Sequence, residues 1–559
     1  MTVMKYAKTL ALLLLPFAIP AAAQPVVAAA VNSASYIHAG LPNAGIAQGS
    51  LFVLFGSGMG PSTLQQISTF PLSATFGGTS VSVTSGGQTV ACYMIYTSVK
   101  QVAAILPSST PIGSGTVTVT YNGQASAPAP IQVVANSFGI FAVNQAGSGI
   151  GVFTDANYHA ASLTASAESG ETWIIWGTGL GAVSGDEAGG PLPGDMPNLP
   201  VKVYVGTQQA TVVYRGRSGC CSGVDQIAFK IPSGITGCNV PVALQVGNTV
   251  SNFVSLPIAS GSRTCSDPSG FTADELTKFS GQGNIKIASI ALSRVTASIT
   301  LPPPLGTGQA TTYTIDEGVA DFNKYNFTQL DSAQSQFNIN TYGTCSVYTF
   351  TGESGTEPTV TAVGLNAGAS IAVNGPNGTK QMTPLASEVG LYSAQLGGGV
   401  PGTPNVLPLY LSQGAYTITG PGGADVGSFT ANLSVPESLV WTNQASTTTV
   451  TRSQGLPITW TGADSGTVQI SGFSLTGLSS TTPYGAGFVC TAKGSDHQFT
   501  VPSIVLLSLP PSDSVADLPV PTGSLIVGSI TPLQSFTASG IDKGFIAAST
   551  ENEQSVTYQ

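Results

Sequence analysis

LFVLFGSGMGP, residues 51–61, is an apolar run that breaks into three glycines spaced two apart, Gly56, Gly58 and Gly60. A dinucleotide-binding loop has G-x-G-x-x-G opening a helix, so that backbone N–H groups and the helix N-terminus hold a pyrophosphate. Here Pro61 follows the third glycine, and STLQQISTFPLSATFGG carries no helical apolar period. No acidic residue stands about twenty positions further on, where ribose recognition would need one. The stretch therefore reads as a strand ending in a backbone turn.

The same stretch returns as TWIIWGTGLGA at 172–182, where Gly49, Gly56, Gly58 and Gly60 map to Gly170, Gly177, Gly179 and Gly181 with one offset of 121. The match continues downstream. QVAAILPS at 101–108 answers QIAFKIPS at 226–233, and GTVTVTYNGQASAPAPIQV at 115–133 answers NVPVALQVGNTVSNFVSLPI at 239–258. These are tandem copies of one unit. Within it, TSVSVTS, VACYMIY, VAAILP and TVTVTY have strand composition and are separated by Gly, Pro or Asn-Gly turns such as Asn122-Gly123, the pattern of an antiparallel sandwich. Glycines at the end of an edge strand supply the bulge or positive φ of a sharp turn, with no phosphate required.

Composition widens this to the whole chain. Its 559 residues predict two to four domains. Abundant Gly (68) and Pro (37), with charged residues at 8%, indicate turn-rich β-structure, and a hydrophobic content of 42% is enough for cores. Sixteen basic residues and a net charge of −10 argue against a nucleic-acid partner. The first 23 residues read as a signal peptide: Lys5 and Lys8, an apolar stretch Leu10–Ile19, then Ala21–Ala23 before Gln24. The expected location is therefore secreted: extracellular, cell-surface or periplasmic. No later run is apolar enough for a membrane span, and no cysteine at the cleavage point could accept lipid.

Export permits disulfides among the seven cysteines. Tyr96 to Gln101 spans five residues but Tyr214 to Gln226 spans twelve, so the second unit has a longer loop, RGRSGCCSGVD. A ring closed between the adjacent Cys220 and Cys221 is strained, so each is expected to reach one of Cys238 and Cys265, stapling the loop. Cys345 and Cys490 are expected to pair over a long range, and Cys92 to be a free, buried thiol.

The segments VNSASY (31–36), GLPNAGIAQGSLFVLFGSGMGP (40–61), QVAAILPS, DQIAFKIPS and VGNTVSN (246–252) resemble the tandem immunoglobulin-like repeats of uncharacterised secreted acidobacterial-type proteins. The units are similar to IPT/TIG domains, whose mark is a strand ending in F/W-G-x-G-hydrophobic-G, matched by Phe55–Gly60 and Trp176–Gly181. The resemblance implies an immunoglobulin-like fold and export over roughly residues 30–260, but brings no catalytic residue and no ligand.

The expected organisation is all-β: signal peptide 1–23, repeats at 24–140 and 141–262, a further sandwich at 263–435 and a last one at 436–559. FTADELTKF (271–279) offers one helical turn or two. LYLSQGAYTITG (409–420) is similar to secreted sandwiches of the pre-peptidase type.

Catalytic material is sparse. His38, His159 and His497 lie in separate regions outside any H-E-x-x-H, and no G-x-S-x-G elbow occurs. Asp316, Glu317 and Asp321 could offer oxygens to calcium but lack the order of a calcium loop and read as a solvated loop. Trp173, Trp176, Trp441 and Trp460 could stack on sugars, although a tryptophan in a sandwich strand is usually core. The expectation is a protein without cofactor, metal or catalytic residue that adheres to or binds a glycan or protein. The alternatives are a carbohydrate hydrolase with its site in the C-terminal half and a structural spacer. An exposed aromatic strip favours the glycan, a pocket with facing carboxylates the hydrolase.

Overall fold

The computed structural model describes residues 24–267, 270–300, 310–327, 341–351, 362–399, 406–478, 483–513 and 522–559, so the signal-peptide expectation lies outside the described residues. The chain is all-β, with sheets layered as tandem sandwiches.

In the first repeat one sheet orders Val26–Asn32, Leu51–Ser57, Gln101–Ile105, Tyr93–Thr97 and Gln65–Gln66, and the facing sheet contains Ala129–Val134, Gly113–Tyr121 and Thr79–Ser85. Alternation selects the core: Phe52, Leu54, Val81, Val83, Val102, Val117 and Val119 point between the sheets and are buried. Cys92 joins them as a free thiol. In the second repeat the corresponding strands are Thr172–Thr178, Asp225–Lys230, Gln208–Arg217, Val201–Val205, Gly237–Val246 and Val254–Ala259. Short parallel pairings close both repeats at the same place, Ile46 with Val133 and Ala167 with Ile258. One difference has a local cause. Tyr93–Thr97 is separated from Gln88–Ala91 at Cys92, whereas Gln208–Arg217 is continuous and therefore pairs in both layers, linking them into one sheet.

Between the repeats Leu72 and Ile105 pack on Ala188, and several contacts are polar and specific. Asn32 donates to the carbonyls of Ser137 (2.9 Å) and Thr178 (3.2 Å), Asn43 to that of Phe138 (3.0 Å), and the Leu51 amide to Thr178 Oγ1 (2.9 Å).

Beyond the repeats comes a helix, Ala273–Gln282, longer than two turns. Thr272 and Glu275 form a capping box at its start, Gly283 ends it in left-handed backbone, and Leu276 and Phe279 pack against Cys238 and Cys265. A fifteen-stranded sheet follows. The strand Lys543–Tyr558 runs along its centre: Ile546 and Ala548 enter one core with Ile290, Phe322 and Tyr392, while Val556 and Tyr558 enter another with Ile470, Phe488 and Leu525. The strand Thr344–Thr351 pairs with Tyr484–Lys493. Strand pairing thus crosses an expected boundary at residue 435 here, and again where Lys543–Tyr558 pairs in parallel with Asn284–Thr300. Leu409–Leu411 is not a strand. Its backbone is held instead by Asp316, which accepts from the amides of Tyr410 (2.6 Å) and Leu411 (2.8 Å).

Candidate functional site

The glycine turns serve the backbone. A side chain at Gly56 would strike the Val26 carbonyl and one at Gly60 would strike Thr97, while Gly58 has φ +66°. In the second repeat Gly177 abuts the Gly139 carbonyl, and Gly179 (φ +114°) and Gly181 (φ +120°) abut the chain entering from the first repeat at Ser137 and Ala135. The Gly179 and Leu180 amides both donate to Asp225 Oδ2 at 2.8 Å. The anion met by this turn is an internal carboxylate, itself paired with Arg217, which also donates to the Gly181 carbonyl at 2.6 Å. Arg217 and Asp225 are both buried. Burial pushes the Asp225 carboxyl up, opposed by the guanidinium and the two amides.

The cysteines bond differently from the expected pairing. Cys220 bonds to Cys221, with Cα atoms 3.8 Å apart, and Cys238 bonds to Cys265 at 5.1 Å. The exposed Cys220 loop sits beside the first repeat, where Gly223 approaches Leu51 and Ile105. Asp225–Lys230 then carries the chain to the opposite end of the sandwich, so Cys238 faces the helix and lies out of reach of that loop. Cys345 and Cys490 stand opposite each other in neighbouring strands and are bonded, with Cα atoms 4.0 Å apart.

Three tryptophans are core: Trp173, Trp441 and Trp460 are buried, each with its indole N–H on an oxygen acceptor. Trp176 is the exception. It projects from the outer face of Thr172–Thr178, donates to Thr154 Oγ1 (2.9 Å), and lies 6.1 Å from the Tyr158 ring at a tilt of 46°. Tyr158 is 64% exposed and adopts φ +65° in the turn Asp155–His159. Asp155 builds that turn, accepting from the amides of Asn157 (2.8 Å) and His159 (2.9 Å) and from the His159 ring (3.0 Å). These bonds, the His159 amide first, hold its carboxyl below the ordinary range.

The first repeat carries the same constellation. Tyr36 adopts φ +53° in a turn built by Asn32, which accepts from the amides of Ala34 (2.8 Å) and Ser35 (3.2 Å). Its ring lies 6.2 Å from Phe55 at a tilt of 47°. Register extends the match. Phe55 stands opposite Gln101, with Val53, Ala103 and Tyr96 in the next row; Trp176 stands opposite Gln226, with Ile174, Ala228 and Tyr214 in the next row. Burial pushes the hydroxyls of Tyr36, Tyr96 and Tyr214 up, so they remain protonated donors at neutral pH. Tyr36 and Tyr158 lie upstream of Gly49 and Gly170, where the sequence match between the repeats begins. Aligning VNSASYIHAG with FTDANYHAAS would have found them.

The remaining candidates do not converge. His38 lies against Tyr484 (4.7 Å), and His497 lies 3.6 Å from Asp464, so the three histidines stay apart. Asp316 is buried and pairs with Arg294 through bonds of 2.7 and 2.8 Å, while Glu317 is exposed. Asp321, bonded to Asn323 (2.7 Å), is pushed up to about 6, first by burial and then by Glu388. These acids occupy a strand rather than the expected loop. Among the described residues no three His, Cys, Asp or Glu side chains gather as a metal site, and no helix is long and apolar enough to cross a membrane.

No family model matches the chain, and no curated protein matches it. Among solved structures it is similar to domains 5-6 of the S-layer protein SbsC, with 12% identity over 42% of this chain and 99% of that one and a TM-score of 0.17. It is also similar to Bacteroides ovatus mixed-linkage glucan utilization locus SGBP-B in complex with a mixed-linkage heptasaccharide, with 10% identity, 86% and 97% coverage and a TM-score of 0.16. Immunoglobulin domains 1-4 of Sidekick-1 match at 10% identity, 96% and 99% coverage and a TM-score of 0.12.

Proposed function

We propose that this chain is an exported, non-catalytic binding protein whose two N-terminal repeats, each of the IPT/TIG type, take a neutral glycan on their aromatic pairs. The observation that carries this reading is the duplication of Tyr36 with Phe55 and Tyr158 with Trp176 on equivalent outer faces. Tyr36 and Phe55 cover Val31, Val53 and Ala103 yet stay partly exposed, Tyr158 is exposed outright, and a left-handed tyrosine is costly in both turns. An aromatic ring offers an electron-rich face to the apolar C–H face of a sugar, while tyrosine hydroxyls and Gln101 or Gln226 serve the sugar hydroxyls. Buried disulfides between Cys238 and Cys265 and between Cys345 and Cys490 suit an oxidising compartment. We take the repeats as 24–140 and 141–262.

The test is a glycan microarray with the mature chain beside a Phe55→Ala, Trp176→Ala variant. The wild type is expected to bind neutral glycans and the variant to lose about tenfold in affinity. Equal binding by both overturns the reading. The hydrolase alternative draws on one observation, the raised carboxyl of Asp321 beside Glu388. Polysaccharide turnover that vanishes in Asp321→Asn would establish it in place of the scaffold.

A further inference from the structure

We infer that the long C-terminal sheet carries a separate glycan platform, formed by Tyr348, Phe350 and Phe473 around Gly485 and Gly487, for an uncharged polysaccharide chain. It shares with the proposal above only the class of ligand; its residues lie in another part of the chain. Strand Thr344–Thr351 alternates strictly. Cys345 turns inward to Cys490 and Val347 packs on the same core, which sends Tyr348 and Phe350 to the opposite face.

Across the next two strands the register runs Tyr348, Gly487, Phe473 and, one row on, Phe350, Gly485, Leu475. A Cβ on Gly487 would lie 2.6 Å from Tyr348 Cζ, and one on Gly485 would lie 2.7 Å from Phe350 Cζ. The rings therefore lie down across the neighbouring strand, where only glycine leaves room. Lying flat, Tyr348 is still 46% exposed, so it turns a broad face to solvent. Its centroid is 6.2 Å from that of Phe350 at a tilt of 39°, close to the spacing and tilt of both N-terminal pairs.

Charge selects the occupant. The rows beside the rings on this face hold Ser346, Ser471, Gln469 and Thr491, all uncharged. Lys493 enters only at the far end opposite Thr467; of the nearby carboxylates, Asp513 accepts from the Gly477 amide (2.9 Å) at the strand end and Glu553 accepts from Ser524 (2.6 Å), opposite Phe473. The nearby carboxylates are engaged by protein donors and, among the described residues, no cluster of cations faces the rings, so a polyanion finds no countercharge, whereas a neutral sugar finds ring faces and hydroxyl or amide groups.

Affinity electrophoresis of the full chain through gels containing hydroxyethyl cellulose, xylan or galactomannan, with alginate as the charged control, tests this. The wild type should be retarded in at least one neutral gel and not by alginate. Tyr348→Ala with Phe350→Ala should weaken retardation about tenfold. Tyr348→Phe should preserve it, and Gly487→Ala should weaken it by lifting the ring, with unchanged circular dichroism certifying each fold. Retardation lost in Phe55→Ala, Trp176→Ala but intact in the Tyr348, Phe350 variant overturns the platform and leaves the N-terminal reading standing; the reverse pattern upholds the platform and overturns that reading. A wild type unretarded in every neutral gel overturns the platform. So does self-association in sedimentation that the Tyr348, Phe350 variant abolishes, which would make a second copy the occupant.

Discussion

Tyr36 and Tyr158 hold the same left-handed backbone, φ +53° and +65°, in turns built by Asn32 and Asp155, and each sets its ring about 6 Å from an outward aromatic at the head of the glycine turn. Left-handed backbone strains tyrosine by roughly 1 kcal/mol, and glycine would relieve it. Tyr158→Gly is therefore expected to change thermal stability by less than about 1 kcal/mol while lowering glycan affinity several-fold. Calorimetry beside glycan titration separates the two effects. Unchanged affinity would leave the tyrosine a turn residue only.

Arg217 and Asp225 should be worth more together than apart. Asp225→Asn leaves a buried guanidinium without its counter-charge and weakens the acceptor of the Gly179 and Leu180 amides, a cost of about 3–5 kcal/mol. Arg217→Met in the same chain should recover part of that loss. Urea melts of the four chains measure the coupling.

Glu171 straps the second repeat to the segment after it, accepting from Arg263, from the Trp173 indole (3.0 Å) and from the Glu168 amide (2.9 Å). These bonds, Arg263 first, hold its carboxyl below the ordinary glutamate value. A depressed folded-state value means stability that is present above the unfolded-state value, about 4.3, and is lost as pH falls through the folded one. Thermal melts of the wild type should therefore fall below about pH 4, and Glu171→Gln should flatten that part of the profile.

Non-reducing peptide maps should show Cys220 bonded to Cys221, Cys238 to Cys265 and Cys345 to Cys490. Cys92 should resist alkylation until the chain unfolds, because full burial pushes its thiol far up. Replacing Cys345 and Cys490 by alanine should cost about 2–5 kcal/mol in the last core.

The shared strand Lys543–Tyr558 makes the two C-terminal cores one cooperative unit. Ile546→Ala and Val556→Ala remove side chains from different cores, yet each should lower the same melting transition, by about 2–4 kcal/mol. Two transitions moving separately would show that the cores unfold independently.

Sequence alone determined the local and repeated features. Two-residue alternation and Gly/Pro turns specify strands, and the returning F/W-G-x-G-x-G specifies one sandwich twice, because backbone sterics at those glycines act within a few residues. FTADELTKF predicts one helical turn or two, and the capping box of Thr272 and Glu275 starts a helix longer than that. What depends on encounters across the chain was decided by the tertiary structure. Cys220 bonds to its neighbour because a strand carries Cys238 to the other end of the sandwich. Strand Thr344–Thr351 joins residues that follow it by over a hundred positions, since an unpaired edge is satisfied by any strand the fold brings alongside. Trp176 differs from the three core tryptophans only in facing outward, a parity that emerges once pairing register assigns each face of the sheet to core or solvent.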